Sequence, residues 1–300
     1  MKTRHKPRVS IGLPVYNGAR YVVEALESLL AQTYRDFELI ICDNASTDQT
    51  EEICRSYAKK DDRICYVRNK TNIGASRNYM RAFESTSADY FRWATYDDIS
   101  APEFLARCIE VLDREPKVVL AYPRTILINE HGQTISEYED RLHLQSDKAD
   151  ERFIQFLQQV RLCNAIYGLV RTEVLKRITP LGSYIGADIC FLAELTLHGT
   201  FYEVPEFLFY RRFHPAAYSS QKESSKQIEF YNPQAEQTVT MITWRQYREY
   251  LTAVARTPLT SAEKLHLYRS LAHMMIWDRN KLGKELMRFC FDLAKPSHQS

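Results

Sequence analysis

Strand and helix patterns alternate along the first hundred residues of this chain. Short apolar runs typical of buried strands recur at 9–13, 37–42, 64–67 and 90–94, the first closed by Pro14, and helical segments separate them. This alternation predicts a mostly parallel sheet with helices on both faces, because parallel neighbours need a connection long enough for a helix. The carboxyl ends of such strands meet at one edge, where open α/β sheets bind their ligands.

Two adjacent carboxylates follow the fourth apolar run. Asp97 and Asp98 stand between that run and Pro102, which is typical of a helix start. Hard divalent cations prefer carboxylate oxygens and often bridge to phosphates, so one interpretation is a Mg²⁺ or Mn²⁺ site that holds a diphosphate. The other interpretation is structural, with Asp98 or Ser100 capping the following helix.

Polar turn residues follow the first two strands at the same edge. Asp43 is placed to accept a hydrogen bond from a base or ribose, whereas an Asx-turn is the favoured interpretation of Asn17 and Asn44. Arg77 opens the third helix, where it either reaches a phosphate or base or stays solvated. Neither a G-x-G-x-x-G fingerprint nor a P-loop is present, which disfavours a dinucleotide cofactor and a P-loop NTPase.

Composition excludes several other classes. The net charge is +2 over 300 residues, with no strongly basic run, so nucleic acid is not expected as a partner. The seven cysteines are scattered without a C-x-x-C pair, as expected for free thiols in a reducing compartment. No stretch reads as a signal peptide or a membrane span, and we expect a cytoplasmic protein.

Three segments together resemble the amino-terminal signature of family 2 glycosyltransferases: VSIGLPVYN at 9–17, SLLAQT at 28–33 followed by Phe37-Glu38, and DNASTD at 43–48. The similarity continues, in looser form, to about His214. It implies an α/β fold of GT-A type, with a Rossmann-like nucleotide-binding half and a mixed central sheet. It also implies an inverting, metal-dependent transferase that moves a sugar from a nucleoside diphosphate donor to an acceptor hydroxyl. A UDP-sugar is the favoured donor.

The resemblance assigns roles to matching positions in this half. Asp97 would bind the metal, Mn²⁺ or Mg²⁺. The usual Asp-x-Asp signature is incomplete, because Thr95 stands where the first acid is expected, and the Thr95 side chain or the Tyr96 backbone would serve instead. The residues implied to line the donor nucleotide pocket are Pro14, Tyr16, Asn17, Asp43, Arg77, Tyr96 and Asp97.

The second half is expected to supply the general base. An inverting displacement needs a group that takes the proton of the acceptor hydroxyl. Asp188 lies in the first turn of an apolar helix after a glycine-containing loop, and by the resemblance it is the matching base. Its structural interpretation is an acid stabilised by the helix dipole. Glu194, two turns deeper, is expected to be structural.

Two strands are expected at 201–205 and 207–214, ending in a cationic cluster. Arg211 and Arg212 would stabilise the departing diphosphate, and His214 would complete the metal shell as a neutral imidazole or serve only as a turn residue before proline. A further strand at 163–171 is expected to form the floor of the acceptor cleft.

The expected organisation is a catalytic domain at 1–218, divided into a nucleotide-sugar half (1–123) and an acceptor half (124–218), and a helical extension at 219–300. Helices are predicted at 234–255 and 261–281. Residues 241–300 carry ten Lys or Arg against five Asp or Glu. Such a basic, aromatic tail would rest peripherally on the inner face of an anionic membrane, pack on the catalytic domain, or form a homodimer.

The function predicted from the sequence is sugar transfer to a saccharide or lipid-linked acceptor in cell-surface polysaccharide or glycolipid synthesis. A sugar-nucleotide nucleotidyltransferase is the nearest alternative enzyme, although the segment at 14–20 is a poor version of its glycine-rich basic loop. A catalytically silent scaffold that keeps the fold is the alternative from another class, and the missing first acid motivates it.

Overall fold

The computed structural model describes residues 6–215, 230 and 241–293. In this part of the chain nine strands form one sheet: β1 Val9–Val15, β2 Phe37–Asp43, β3 Ile64–Arg68, β4 Tyr90–Trp93, β5 Ile99–Ser100, β6 Val118–Ile128, β7 Thr134–Tyr138, β8 Leu169–Arg171 and β9 Thr200–Arg212. The α-helices of the described residues are α1 Val22–Leu30, α2 Thr50–Ala58, α3 Ala75–Glu84, α4 Phe104–Arg114, α5 Ala149–Gln159, α6 Thr172–Leu175, α7 Ala187–Thr196, α8 Ile242–Arg256, α9 Ser261–Trp277 and α10 Arg279–Leu293.

The sheet has the strand order β3-β2-β1-β4-β8-β6-β9-β5, and β7 pairs with β6 outside this path. The first four strands along this path are parallel, as the alternating pattern predicts. β8 then runs antiparallel to both β4 and β6, whereas β6 and β9 are parallel. The sheet is therefore mixed, which confirms the predicted α/β fold with a mixed central sheet.

Helices cover both faces of the sheet. On one face Val9, Ile11 and Leu13 of β1 join a buried cluster with residues of α1, α2 and α4. On the other face Phe91 and Trp93 of β4 pack with α3, α5, α7 and the C-terminal helices. Because side chains alternate along a strand, a fully buried strand contributes to two cores at once, and this explains its continuous apolar sequence.

β1 is longer than expected, because Pro14 does not end it. Pro14 lies opposite Cys42 of β2, and β1 continues to Val15. On the other side, β4 is paired with β1 only as far as Gly12, whose carbonyl accepts the Ala94 amide at 2.8 Å. The backbone nitrogen of Pro14 faces the same side as the backbone groups of Gly12, because backbone groups two residues apart point in the same direction. At Pro14 this side is no longer paired with β4. The missing N–H of Pro14 therefore costs the sheet no hydrogen bond.

Two predictions in the second half were wrong in detail. The expected strands at 201–205 and 207–214 form one strand, β9, whose register against β6 shifts where Pro123 faces Val204 and Arg124 faces Phe207. The shift absorbs two extra residues, which keeps the chain paired on both sides of Pro205. The expected strand at 163–171 is mostly a 3₁₀ turn, Asn164–Tyr167, with only β8 extended.

The C-terminal helices pack on the helices of the acceptor half. α8 contacts α7, and α9 contacts α5 and α8. Arg256 of α8 forms an ion pair with Glu194 of α7, which also accepts the Thr179 hydroxyl at 2.9 Å. α9 begins with a capping box between Thr260 and Glu263, a local signal that fixes its start.

The sequence predicted α9 well and missed α10. Of the helix expected at 234–255, the part from Ile242 onward forms α8, and most of the remainder lies outside the described residues, as does the expected domain boundary at 218. None of the described helices combines the length and apolar character needed to span a membrane. The seven cysteines are unpaired, and five of them are buried.

Gly168 is a position where packing demands glycine. A Cβ added there would lie 2.7 Å from Cβ of Tyr122 and 2.8 Å from the carbonyl oxygen of Ala121. Gly168→Ala is expected to lower the free energy of unfolding by about 1–3 kcal/mol, because backbone atoms of β6 would have to move. Denaturant unfolding monitored by circular dichroism measures this change.

Gly283 provides the matched control. It lies inside α10, and no atom lies within 4 Å of a Cβ built there. Gly283→Ala is expected to raise stability by up to about 1 kcal/mol through helix propensity alone. Equal effects of the two substitutions would show that the contact between the 164–168 turn and β6 is not tight.

Candidate active site

Asp97 and His214 meet at the carboxyl edge of the sheet. Asp97 follows β4, His214 follows β9, and Nε2 of His214 lies 3.0 Å from Oδ2 of Asp97. Both side chains are largely shielded from solvent. The Tyr21 ring packs against the His214 ring, with centroids 4.9 Å apart, and thereby fixes its orientation. The structure thus joins two predicted metal-binding residues that are 117 positions apart in the chain.

Asp98 has other partners than its neighbour Asp97. Its Oδ1 accepts the Arg212 amide at 2.8 Å, and its Oδ2 accepts the Thr95 hydroxyl. Burial, together with the neighbouring charge of Asp97, raises the pKa of Asp98. Asp98 is therefore a structural residue that joins the turn after β4 to β9, and it leaves Asp97 as the acid of this pair that faces His214.

Arg212 holds the same turn. Its Nε donates to the carbonyl of Asp97 at 2.8 Å, and Nη2 lies 2.5 Å from Oε2 of Glu24 on α1. Nη1 lies 3.3 Å from the carbonyl of Asn129. The guanidinium is almost fully buried, so its donors are committed to the protein. This geometry assigns Arg212 to positioning Asp97, whereas Arg211 forms no bond with that turn.

The donor set of the Asp97–His214 pair fits a divalent cation. Within residues 6–215, 230 and 241–293, no group of three or more His, Cys, Asp or Glu side chains could hold a metal. Two protein ligands suffice for Mg²⁺ or Mn²⁺, because these ions keep several coordination positions for water and substrate phosphates. A carboxylate oxygen and an imidazole nitrogen at one edge are therefore two ligands that could hold such an ion together with a diphosphate.

Asp188 lies where the sequence placed it, in the first turn of α7. Gly186 precedes the helix with a φ of 83°, a left-handed conformation that glycine adopts without strain. The Asp188 carboxylate accepts the Ile189 amide at 2.9 Å. Burial raises the pKa of Asp188 above its usual value. A carboxylate with a raised pKa is a better proton acceptor, provided that it is ionised at the working pH.

Arg211 acts on both Asp98 and Asp188 through its charge. Its Nη1 donates to the carbonyl of Leu162 at 2.7 Å and to Oδ1 of Asn164 at 2.5 Å. The positive charge lowers the pKa of both Asp98 and Asp188, in each case opposing the larger effect of burial. The guanidinium is therefore close enough to act electrostatically on both sides of the site.

The residues predicted to hold the nucleoside are not equally accessible. Asp43 is fully buried, and its carboxylate accepts the Ser46 amide at 2.8 Å and the Tyr66 hydroxyl at 2.6 Å. Asn17 uses its side-chain oxygen to accept the Thr47 amide at 2.8 Å. These bonds hold together the turns after β1 and β2. The Asx-turn expected at Asn17 is not what forms, because the bond of its side chain reaches the turn after β2, 30 residues away in the chain.

The other predicted pocket residues lie around these turns. Pro14 is buried in β1, and Tyr16 is exposed directly after it. The Tyr96 ring covers Gly18, and burial beside Asp97 raises the pKa of its hydroxyl. Arg77 is exposed in a groove between α3 and the 180–181 turn, and the lining of that groove includes none of the three acids Asp43, Asp97 and Asp188.

A buried network of asparagines supports the nucleotide side, and sequence reasoning missed it. Asn69, after β3, donates to Asn44 and Asn78, both at 2.9 Å. Asn78 donates to the carbonyl of Cys42 at 2.7 Å, and Asn44 donates to Asn72 at 2.7 Å. The network ties the ends of β2 and β3 to the start of α3. The only local signal was the recurrence of asparagine after strand ends.

Comparisons with known proteins identify the family of this chain. Residues 10–179 match the family model described as glycosyl transferase family 2. An uncharacterized glycosyltransferase of Rickettsia typhi is 36% identical over 133 residues, which are 44% of this chain and 40% of the relative, so the chain spans less than half of that relative.

Solved structures share the fold at low sequence identity. S. aureus TarS 1–349 in complex with UDP-GlcNAc has a TM-score of 0.63 and 18% identity over 91% of this chain and 74% of its own. The mannosyltransferase PcManGT of Pyrobaculum calidifontis, in complex with GDP-Man and Mn²⁺, has a TM-score of 0.53 and 15% identity over 98% and 77%. These likenesses confirm the predicted GT-A fold.

The family-model match extends from β1 to beyond α6 and covers more than half of the 300 residues. It includes the turns after β1, β2 and β4, together with Asp97. The chain therefore belongs to glycosyl transferase family 2.

Proposed function

We propose that this chain is an inverting glycosyltransferase that moves a sugar from a UDP-sugar to an acceptor hydroxyl and uses Mn²⁺ or Mg²⁺. The observation that carries the proposal is the 3.0 Å contact between Asp97 and His214 at the carboxyl edge of the sheet. Two solved structures with the same fold support it, since one contains UDP-GlcNAc and the other GDP-Man with Mn²⁺.

Asp97 and His214 would hold the metal ion, with His214 acting through a neutral ring nitrogen. When bound, the ion would neutralise charge on the diphosphate leaving group. Arg212 and Glu24 keep the Asp97 turn in position. Arg211, which is not paired with a carboxylate in the described residues, would add positive charge beside the leaving group.

Asp188 would act as the general base. The acceptor oxygen attacks the anomeric carbon, the bond from that carbon to the diphosphate oxygen breaks, and the acceptor proton passes to the Asp188 carboxylate. Attack opposite the leaving group inverts the anomeric configuration. The half-buried position of Asp188 and its raised pKa suit proton acceptance.

The nucleoside would lie against the turns after β1 and β2. Asp43, Asn17 and the asparagine network keep these turns rigid, and exposed Tyr16 would contact the base. Tyr96 would lie beside the diphosphate through its backbone. For Arg77 we propose a phosphate or base contact that requires its side chain to leave the groove on α3. A saccharide or lipid-linked acceptor would approach from the Asp188 side.

Calorimetric titration of UDP, GDP and dTDP, each with and without Mn²⁺, tests the proposal. We expect UDP to bind more tightly than the other two, and more tightly with Mn²⁺ than without it. No binding of any nucleotide would overturn the proposal. Binding without release of UDP from any UDP-sugar would favour the silent scaffold, and formation of a UDP-sugar from UTP and a sugar phosphate would favour a nucleotidyltransferase.

A further inference from the structure

The end of α9 and the outer face of α10 expose an unusual amount of apolar surface. The four most exposed large hydrophobic side chains of the described residues all lie here: Ile276 (62%), Trp277 (75%), Met287 (66%) and Phe291 (76%). We call these four residues the apolar ridge. Single exposed hydrophobic residues are ordinary on a protein surface, but finding the four most exposed ones on two consecutive helices favours an interaction site.

The geometry of α10 separates this ridge from the packed side of the helix. Leu282 is buried, and Glu285 accepts the Thr243 amide and hydroxyl, the latter at 2.7 Å. Met287 and Phe291 are four residues apart, so they lie one above the other on the opposite side of the helix. Met287 and Phe291 therefore face away from α8.

Two acidic side chains next to the ridge are bonded to α8. Glu285 bonds to the start of α8, and Asp278 accepts the Tyr247 hydroxyl at 2.8 Å. The negative charges of these two residues are therefore directed into local bonds.

Basic residues beside the ridge remain open. Lys281, Lys284 and Arg288 are exposed, and none has an ion-pair partner in the part of the chain that the structure describes. Lys284 and Arg288 are one helical turn apart and flank Met287 on the outer side of α10. The face consequently combines exposed aromatic and aliphatic side chains with unpaired cations.

We infer that this face binds the surface of an anionic phospholipid bilayer. Apolar side chains on one face of a helix enter the boundary between head groups and acyl chains, and nearby lysines or arginines are attracted to anionic lipid. The charge disfavours the simplest protein partner, a second copy. A two-fold interface would place Lys281, Lys284 and Arg288 of both copies in one contact, and like charges oppose that contact.

The inference concerns a surface remote in sequence from Asp97 and Asp188, so it stands independently of the proposed transfer reaction. Where that reaction also holds, a lipid-borne acceptor would be met at the same membrane. Flotation of the full chain with vesicles of phosphatidylcholine, alone or mixed with phosphatidylglycerol, tests it. We expect binding to the mixed vesicles, and weaker binding at high salt.

Two double substitutions test the apolar and the cationic contribution to vesicle binding separately. Met287→Ser with Phe291→Ser, and separately Lys281→Glu with Lys284→Glu, are each expected to weaken vesicle binding by at least about tenfold. The matched controls are Ile135→Ser, at an exposed apolar residue on β7, and the double substitution Lys59→Glu with Lys176→Glu, at exposed lysines that directly follow α2 and α6. These controls should bind vesicles as the wild type does.

Several outcomes would overturn the inference. Wild-type protein that does not float with the mixed vesicles, or paired variants that bind as well as the controls, would contradict it. A dimer in analytical ultracentrifugation that dissociates in the Met287→Ser and Phe291→Ser variant, without vesicle binding by the wild type, would assign the face to a second copy. UDP affinity is measured for every variant in a separate titration. Failure of the proposed function, seen as absent UDP binding, is therefore distinguishable from failure of membrane binding.

Discussion

Asp188→Asn is expected to lower the rate of UDP release from the preferred UDP-sugar by about 10²–10⁴-fold and to leave UDP affinity unchanged. The expected loss is the contribution that a positioned general base makes to a proton transfer. Asparagine keeps the size of the side chain and its ability to accept the Ile189 amide, so the start of α7 should persist. Steady-state kinetics with water or a saccharide as acceptor, combined with calorimetry of UDP, measures both quantities.

Asp150→Asn is the matched control for this substitution. Like Asp188, Asp150 is an aspartate in the first turn of a helix, α5, and its carboxylate contacts His266 at 2.5 Å. We expect turnover to be unchanged in this variant. If Asp188→Asn and Asp150→Asn reduced turnover equally, or if Asp188→Asn kept full activity, the assignment of Asp188 as the base would be wrong.

Asp97→Ala and His214→Ala are expected to abolish most of the effect of Mn²⁺ on UDP affinity. Each change removes one of the two side chains that would hold the ion. Loss of an outer-shell partner alone lowers metal affinity by about 10- to 100-fold, and loss of a direct ligand should cost at least as much. The measurement is UDP titration with Mn²⁺ and with chelator, and the variants should resemble the wild type only in chelator.

Asp98→Asn separates the two neighbouring acids. Asp98 bonds to the Arg212 amide and the Thr95 hydroxyl, and asparagine can still accept from the former. We expect this variant to keep the Mn²⁺-dependent gain in UDP affinity. Loss of the gain in Asp98→Asn, with retention in Asp97→Ala, would reverse the assignment of the two carboxylates.

Much of the nucleotide half could be predicted from the sequence because its signals are local. Each parallel strand of this half is a short apolar run, and β1 to β3 are each followed by a helix with its own apolar spacing, so β1 to β4 and α1 to α3 were predicted to within a few residues. The family resemblance added roles for Asp97, Asp188 and His214 that spacing alone could not give.

The rest depends on contacts between distant parts of the chain. The antiparallel insertion of β8 between β4 and β6 and the pairing of Arg212 with Glu24 join segments that carry no mutual signal. Arg211 and Arg212 look equivalent in the sequence. Only the ion pair with Glu24 of α1 and the bond to the Asp97 carbonyl distinguish Arg212 from Arg211. The 3₁₀ turn at 164–167 replaced a predicted strand for a similar reason, since its close contact with β6 is tertiary.

The central claim is that Asp97 and His214 form the protein half of a metal and diphosphate site. A crystal structure of the full chain with UDP and Mn²⁺, with anomalous data collected at the manganese edge, tests it most directly. We predict one anomalous peak within bonding distance of an Asp97 carboxylate oxygen, a His214 ring nitrogen and the diphosphate. UDP bound at another surface, or a manganese peak that neither side chain contacts, would contradict the account.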